Sequence, residues 1–153
     1  STCSVPARDY YPIIKAKIKN LWREQWRDTE QQNKLRSIKD NIDVWPSSQH
    51  ENKMKARTIT RLRIGHTLKT HGHLMERRPP PYCEDCIVPM TVKHMLAECP
   101  SHEMTRRRIF PRTISMNTQE KLREILAEKE GEMFDHEKVF EMITAMGTEL
   151  KEL

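Results

Sequence analysis

"PYCEDCIVPMTVKHMLAECP", residues 81 to 100, holds three of the four cysteines of a 153-residue chain together with one histidine. Counted from Cys83, the spacing is C-x2-C-x7-H-x4-C, closing on Cys86, His94 and Cys99. Three thiolates and one imidazole make a complete tetrahedral zinc shell of the closed, structural kind, with no open position for an activated water. Other readings fit less well. A thioredoxin-like C-x-x-C belongs at the start of a helix after a strand, and no strand run precedes this one. A disulfide would leave Cys99 and His94 without a role. The seven-residue gap before His94 predicts a module with its own short helix, capped at Thr91 and running through "VKHMLAE", with Cys99 just beyond its end.

The rest of the chain suits a small domain that needs such a staple. Hydrophobic residues are 36% and charged residues 32%, with three each of Phe, Tyr and Trp, so the core is expected to be modest. No apolar run approaches the roughly 18 residues of a bilayer span, and no signal-peptide core is visible, which predicts an intracellular protein, nuclear or cytoplasmic, with no membrane partner. The start at Ser1, in what reads as mid-linker, predicts a piece of a longer chain. The lone Cys3 gives no secreted-type disulfide framework.

Charge is unevenly distributed. Residues 1 to 112 carry 22 Lys and Arg against 12 Asp and Glu, while residues 113 to 153 carry 5 against 10. A basic body attracts polyanions by counterion release, and nucleic acid is the expected one.

Periodicity predicts a mainly α fold in three regions. Residues 1–49 contain an amphipathic helix from about 10 to 30, with Asp9 as N-cap and Pro12 in its first turn, then a linker around Trp45-Pro46. Its stripe of Ile14, Ile18, Leu21, Trp22 and Trp26 reads as a buried face, with Trp22 and Trp26 as core anchors rather than base-stacking platforms. Residues 50–112 form a basic helical region with the Cys3His module, broken at Gly65 and at Pro79-Pro80-Pro81. Residues 113–153 form an acidic tail of two amphipathic helices separated at Gly131.

Candidate phosphate contacts are Lys53, Lys55, Arg57, Arg61, Arg63, His66, Lys69, His71, Arg77 and Arg78, with Arg106, Arg107 and Arg108 after the zinc motif. The arginine run reads either as a solvated face or as part of a binding face. His66, His71 and His73 are open to structural, nucleic-acid or metal roles, the structural being favoured. No catalytic set is present: there is no clustered carboxylate group for two-metal chemistry, no P-loop and no nucleophile elbow.

"RLRIGHTLKTHGHL" (61 to 74), a proline spacer and "CEDC…VKHMLAECP" together resemble the C-terminal region of the ORF2-type polyprotein of non-LTR retrotransposons of the I and Jockey kind, downstream of the reverse transcriptase and RNase H domains. "VPARDYYPIIKAKIKNLWREQW" looks like the segment after the RNase H domain, so the likeness covers roughly residues 5 to 108. The resemblance implies a nucleic-acid-binding appendage that engages template RNA or target DNA and works with the rest of the polyprotein, with Cys83, Cys86, His94 and Cys99 as ligands of a structural Zn2+. A rival expectation is a zinc-stapled protein-interaction or oligomerisation module, using the C-terminal helices through Met133, Phe134, Val139, Phe140, Met142, Ile143 and Met146.

Overall fold

A computed structural model describes residues 6–30 and 32–153. It divides into two compact units, 1–43 and 44–153. Cys3 lies outside the described residues. Both units are helical, and the described residues hold no strand, only one isolated antiparallel bridge between Tyr82 and Pro89.

The first unit is built on α1 (Ala7–Asp28), which starts earlier than expected. Pro6 takes the N-cap position, Asp9 lies in the first turn and Pro12 is inside the helix. A return segment, stapled by Trp26 Nε1 donating to the Lys39 carbonyl (3.1 Å) and Arg36 Nε donating to the Trp26 carbonyl (3.2 Å), follows it. The expectation of a buried stripe is overturned: none of the α1 residues is buried, and Trp22 is exposed. The helical period holds, but of the residues it lines up only Trp26 is half-buried, beneath the return segment, and the others stay exposed.

The second unit begins with the Pro46–Gln49 3-10 turn and then α2 (Lys53–Ile64). Asn52 caps α2, its Oδ1 accepting from the amides of Met54 and Lys55. Gly65, at φ 72°, ends it in the left-handed conformation, and the His66 amide closes back on the Arg61 carbonyl at 3.0 Å. Thr67 then caps α3 (Leu68–Glu76) through a reciprocal capping box with Thr70. Much of "RLRIGHTLKTH" is therefore the stop of one helix and the start of the next.

After the metal loop come α4 (Glu103–Ile109), α5 (Thr118–Leu126) and α6 (His136–Ala145). Capping again follows the sequence, with an Asn117–Glu120 capping box on α5 and Asp135 on α6. Residues 113–153 are no separate tail. α5 packs on the metal-loop turn and on α2, and α6 packs on α4. Leu122, Ile125, Leu126, Val139, Phe140, Met142 and Ile143 are all buried in the same core as Ile59, Leu62, Met95 and Leu96. Burying a side chain of this size contributes about 1.5–3 kcal/mol, so these helices supply much of the unit's stability. Their apolar stripe is consequently unavailable as the docking surface that the rival reading required; of its residues only Met133 is fully exposed.

Candidate metal centre and basic face

Residues 81–90 form a small knuckle. The Cys83 amide donates to Val88 O (2.9 Å), the Ile87 amide to Cys83 O (2.8 Å) and the Met90 amide to Pro81 O (2.9 Å). To fold back this tightly the chain places Ile87 at φ 55°, a left-handed conformation that β-branched residues avoid. The turn brings Cys83 and Cys86 to one side of the knuckle.

The second ligand pair comes from an unusual winding. Thr91 caps the start, its Oγ1 accepting from the His94 amide at 2.9 Å, as the sequence predicts. From His94 to Glu98 the chain is then a π-helix, with the Cys99 amide bonding back to the His94 carbonyl at 2.8 Å. In an α-helix, residues five apart lie about 140° apart around the axis. The wider i→i+5 turn brings His94 and Cys99 onto a common side, which is how a gap of four intervening residues serves one ion.

The ligand atoms of Cys83, Cys86, His94 and Cys99 all lie within 4.8 Å of one another, and among the described residues this is the group that could hold a metal ion. All three cysteines are free thiols; the Cys99 sulfur lies 3.9 Å from Cys83 Sγ and 3.8 Å from Cys86 Sγ, far beyond the roughly 2 Å of a disulfide. His94 Nε2 is buried without a hydrogen-bond partner, while its Nδ1 lies 3.9 Å from a Glu98 carboxylate oxygen. An orphaned buried nitrogen beside three sulfurs is what a donor set looks like when its natural partner is a cation. The thiols respond unequally to their crowding. The neighbouring His94 imidazole holds the Cys83 thiol down, to about 7. Burial, reinforced by the neighbouring thiols of Cys99 and Cys83, raises that of Cys86 to about 12. Three sulfurs this close resist sharing negative charge until a cation lies between them.

Arg106 holds this loop from behind. It is 0% exposed, donates from Nε to the Leu96 carbonyl (2.7 Å) and from Nη2 to the Cys99 carbonyl (3.1 Å), and pairs with Glu103. These carbonyls stand at the end of the π turn, where intrahelical donors thin out; the Cys99 carbonyl also accepts from the His102 amide at 3.3 Å. Arg63, 4% exposed, plays a similar part elsewhere: Nε donates to Leu126 O and Nη2 to Ser47 Oγ, both at 2.8 Å. Its guanidinium carbon lies 4.3 Å from the Trp45 ring centroid and 4.6 Å from that of Phe134. Burial lowers its pKa to about 10, an effect that Glu128 opposes. Both arginines were expected among the phosphate contacts, and both are corrected: their guanidinium groups are buried inside the protein, with Arg63 Nη1 left without a hydrogen-bond partner.

The other expected contacts divide into two sets. Lys55 pairs with Glu137, Lys69 with Glu152 (3.9 Å), Arg78 with Glu76, Arg107 with Glu103 (2.8 Å) and Arg108 with Glu141 (2.8 Å). Three of these carboxylates belong to the acidic C-terminal region, so part of the charge asymmetry is internal compensation. Lys53, Arg57 and Arg77 are exposed and have no ion pair among the described residues. Arg61, half-buried, donates to the Leu153 carbonyl at 3.3 Å. The rings of His66 and His71 lie 4.0 Å apart, and His71 Nδ1 is 2.7 Å from Thr70 Oγ1. These histidines join no metal-ligand group among the described residues.

No helix among the described residues is long and apolar enough to cross a membrane. Comparisons with protein-family models, curated proteins and solved structures return no match.

Proposed function

We propose that this chain is a zinc-stapled nucleic-acid-binding module, of the kind that follows the polymerase and nuclease domains in the ORF2-type polyproteins of I- and Jockey-like non-LTR retrotransposons. The observation that carries the binding role is the exposed face of α2. Lys53, Arg57 and Arg61 recur every four residues along α2; the first two are exposed with no acidic partner among the described residues, Arg61 is half-buried with Nη1 on the Leu153 carbonyl, and most neighbouring cations are neutralised. A helix rises about 6 Å in four residues, so the three cations cover about 12 Å, a length over which one strand of a duplex presents three to four phosphates. Contacts of this type fix position without reading bases, so the module adds affinity for RNA or DNA to a larger enzyme rather than sequence specificity.

Zinc is the metal we assign. Three thiolates and an imidazole are its usual structural donors, and tetrahedral zinc–sulfur bonds of about 2.3 Å set sulfurs about 3.8 Å apart. Cys99 stands at that separation from each of the other two sulfurs. The metal's role is to fold the loop, with four protein ligands closing the shell. The motif "RLRIGHT" and the order of the cysteines support the retrotransposon assignment by resemblance.

The test is metal analysis of the purified protein followed by oligonucleotide binding at low ionic strength, before and after chelation. Zinc-loaded protein should bind both RNA and DNA, and Lys53→Glu with Arg57→Glu should abolish binding without lowering the melting temperature. Failure of the zinc-loaded protein to bind either oligonucleotide would remove the nucleic-acid role while leaving the metal assignment standing.

A further inference from the structure

The exposed stripe of α1 has the spacing of a helix-pairing seam. Tyr11, Ile14, Ile18 and Leu21 fall at alternating intervals of three and four residues, the a, d, a and d positions of two heptads. Tyr10 and Trp22 flank them on either side, at g and e. These six side chains are 47% to 66% exposed, in a helix with no buried residue at all. Two contacts of the return segment, the Trp26–Lys39 hydrogen bond and the Lys19–Asp43 pair at 3.2 Å, fall at b positions, and the four a and d side chains stay more than half exposed.

We propose that α1 pairs with α1 of a second copy of this chain, as a parallel, in-register two-stranded seam. Three observations select that occupant. In the second heptad Ile18 at a with Leu21 at d is the combination that favours two parallel strands, while the first heptad, Tyr11 at a with Ile14 at d, adds apolar layers without that preference. The flanking positions then match: Tyr10 of one helix faces Lys15 of the other, and Lys17 faces Trp22, each a cation beside an aromatic ring. Lys15 already lies 6.0 Å from the centroid of its own Tyr11 ring. The antiparallel arrangement with the same four apolar layers sets Lys15 against Lys15 and Lys17 against Lys17, which like-charge repulsion disfavours. The area is also adequate. Six large side chains about half exposed offer roughly 600 Å2 per helix, approaching the ~800 Å2 per partner of a specific interface.

Sedimentation of the whole zinc-loaded chain over a concentration series up to about 100 µM tests this, since so small a seam should dissociate in the micromolar range. A monomer–dimer equilibrium is expected. Ile18→Asp with Leu21→Asp should weaken it more than tenfold, while Ile13→Asp, exposed on the same helix but off the seam, should leave it unchanged. Ile18→Cys in a Cys3→Ser background should form a homodisulfide under mild oxidation, as in-register parallel helices require. A monomer throughout the series, a dimer indifferent to the double substitution, or cross-linking only between Ile18→Cys and Ile14→Cys chains would each overturn the proposal.

Discussion

Arg106 provides the sharpest separation between a side chain that holds the domain together and one that faces solvent, because its neighbour Arg107 has the same chemistry and shares its carboxylate. Consider Arg106→Met and Arg107→Met. In the first, the Leu96 carbonyl loses its donor at 2.7 Å and the Cys99 carbonyl loses the nearer of its two, keeping the His102 amide at 3.3 Å, inside a site with no solvent access. Glu103 is less affected, since Arg107 at 2.8 Å and Lys121 at 3.5 Å still face it. Hydrogen bonds from a charged donor contribute about 1.5–3 kcal/mol each, and removing one side of a buried charged network costs about 3–5 kcal/mol. Relief of the guanidinium's own desolvation offsets part of this, so about 3 kcal/mol is expected. For a unit of this size, near 100 residues, each kcal/mol shifts the midpoint by about 4 °C, giving a fall of about 12 °C. Arg107 is 48% exposed in its side chain and makes an i,i+4 pair of the kind that contributes under about 0.5 kcal/mol. Its substitution should move the midpoint by about 2 °C or less. Calorimetry of the zinc-saturated proteins measures both. Because Arg106 grips the carbonyl of a metal ligand, a competing chelator should also find zinc held about tenfold more weakly in Arg106→Met. Equal midpoint shifts in the two variants, or loss of oligonucleotide binding in Arg106→Met at an unchanged midpoint, would refute this account of the arginine run.

Oligonucleotide affinity should fall with salt at a log–log slope of about −2 for a single strand and about −2.7 for a duplex if three cations contact phosphates, and Lys53→Gln with Arg57→Gln should remove about two thirds of that slope in a fluorescence-anisotropy titration. Ile87→Gly should raise the midpoint of thermal unfolding, because the left-handed conformation at φ 55° costs a β-branched residue about 1–2 kcal/mol, more than the entropy glycine adds to the unfolded chain, and Ile87 is 80% exposed and so forfeits little packing. Glu103 has its pKa lowered, chiefly by the hydrogen bond from Arg107 and further by Lys121 and Arg106, so its contribution is fully present above the ordinary glutamate pKa and is lost as pH falls through the lowered value. Glu103→Gln should therefore destabilise the protein at neutral pH and flatten the acid limb of a stability–pH profile followed by circular dichroism.

What the sequence makes legible here is what is decided within a few residues. The cluster of four candidate metal ligands, the Thr91 cap, the Gly65 stop and the helices of the C-terminal region all follow from local spacing and capping chemistry, and each stands where those rules put it. The Thr67–Thr70 capping box obeys the same local logic, yet the motif containing it drew attention for function instead. The π winding between His94 and Cys99 escapes a reading that assumes 3.6 residues per turn, although a ligand pair five residues apart already asks for something wider. Charge misleads more deeply. Arg63 and Arg106 look like their neighbours in sequence, and their burial depends on Leu126, Ser47, Leu96 and Cys99, acceptors 7 to 63 residues away that only the fold brings near. The carboxylates that neutralise Lys55, Lys69 and Arg108 likewise come from the acidic region 33 to 83 residues further on, so a regional excess of positive charge overstates the cationic surface. Once buried and paired cations are set aside, the exposed cations without an ion pair in the candidate set are Lys53 and Arg57 on α2 and Arg77, while α1 carries an exposed apolar stripe. The proposed binding and the proposed self-association therefore draw on different helices, and substitutions on one should leave the other's assay unmoved.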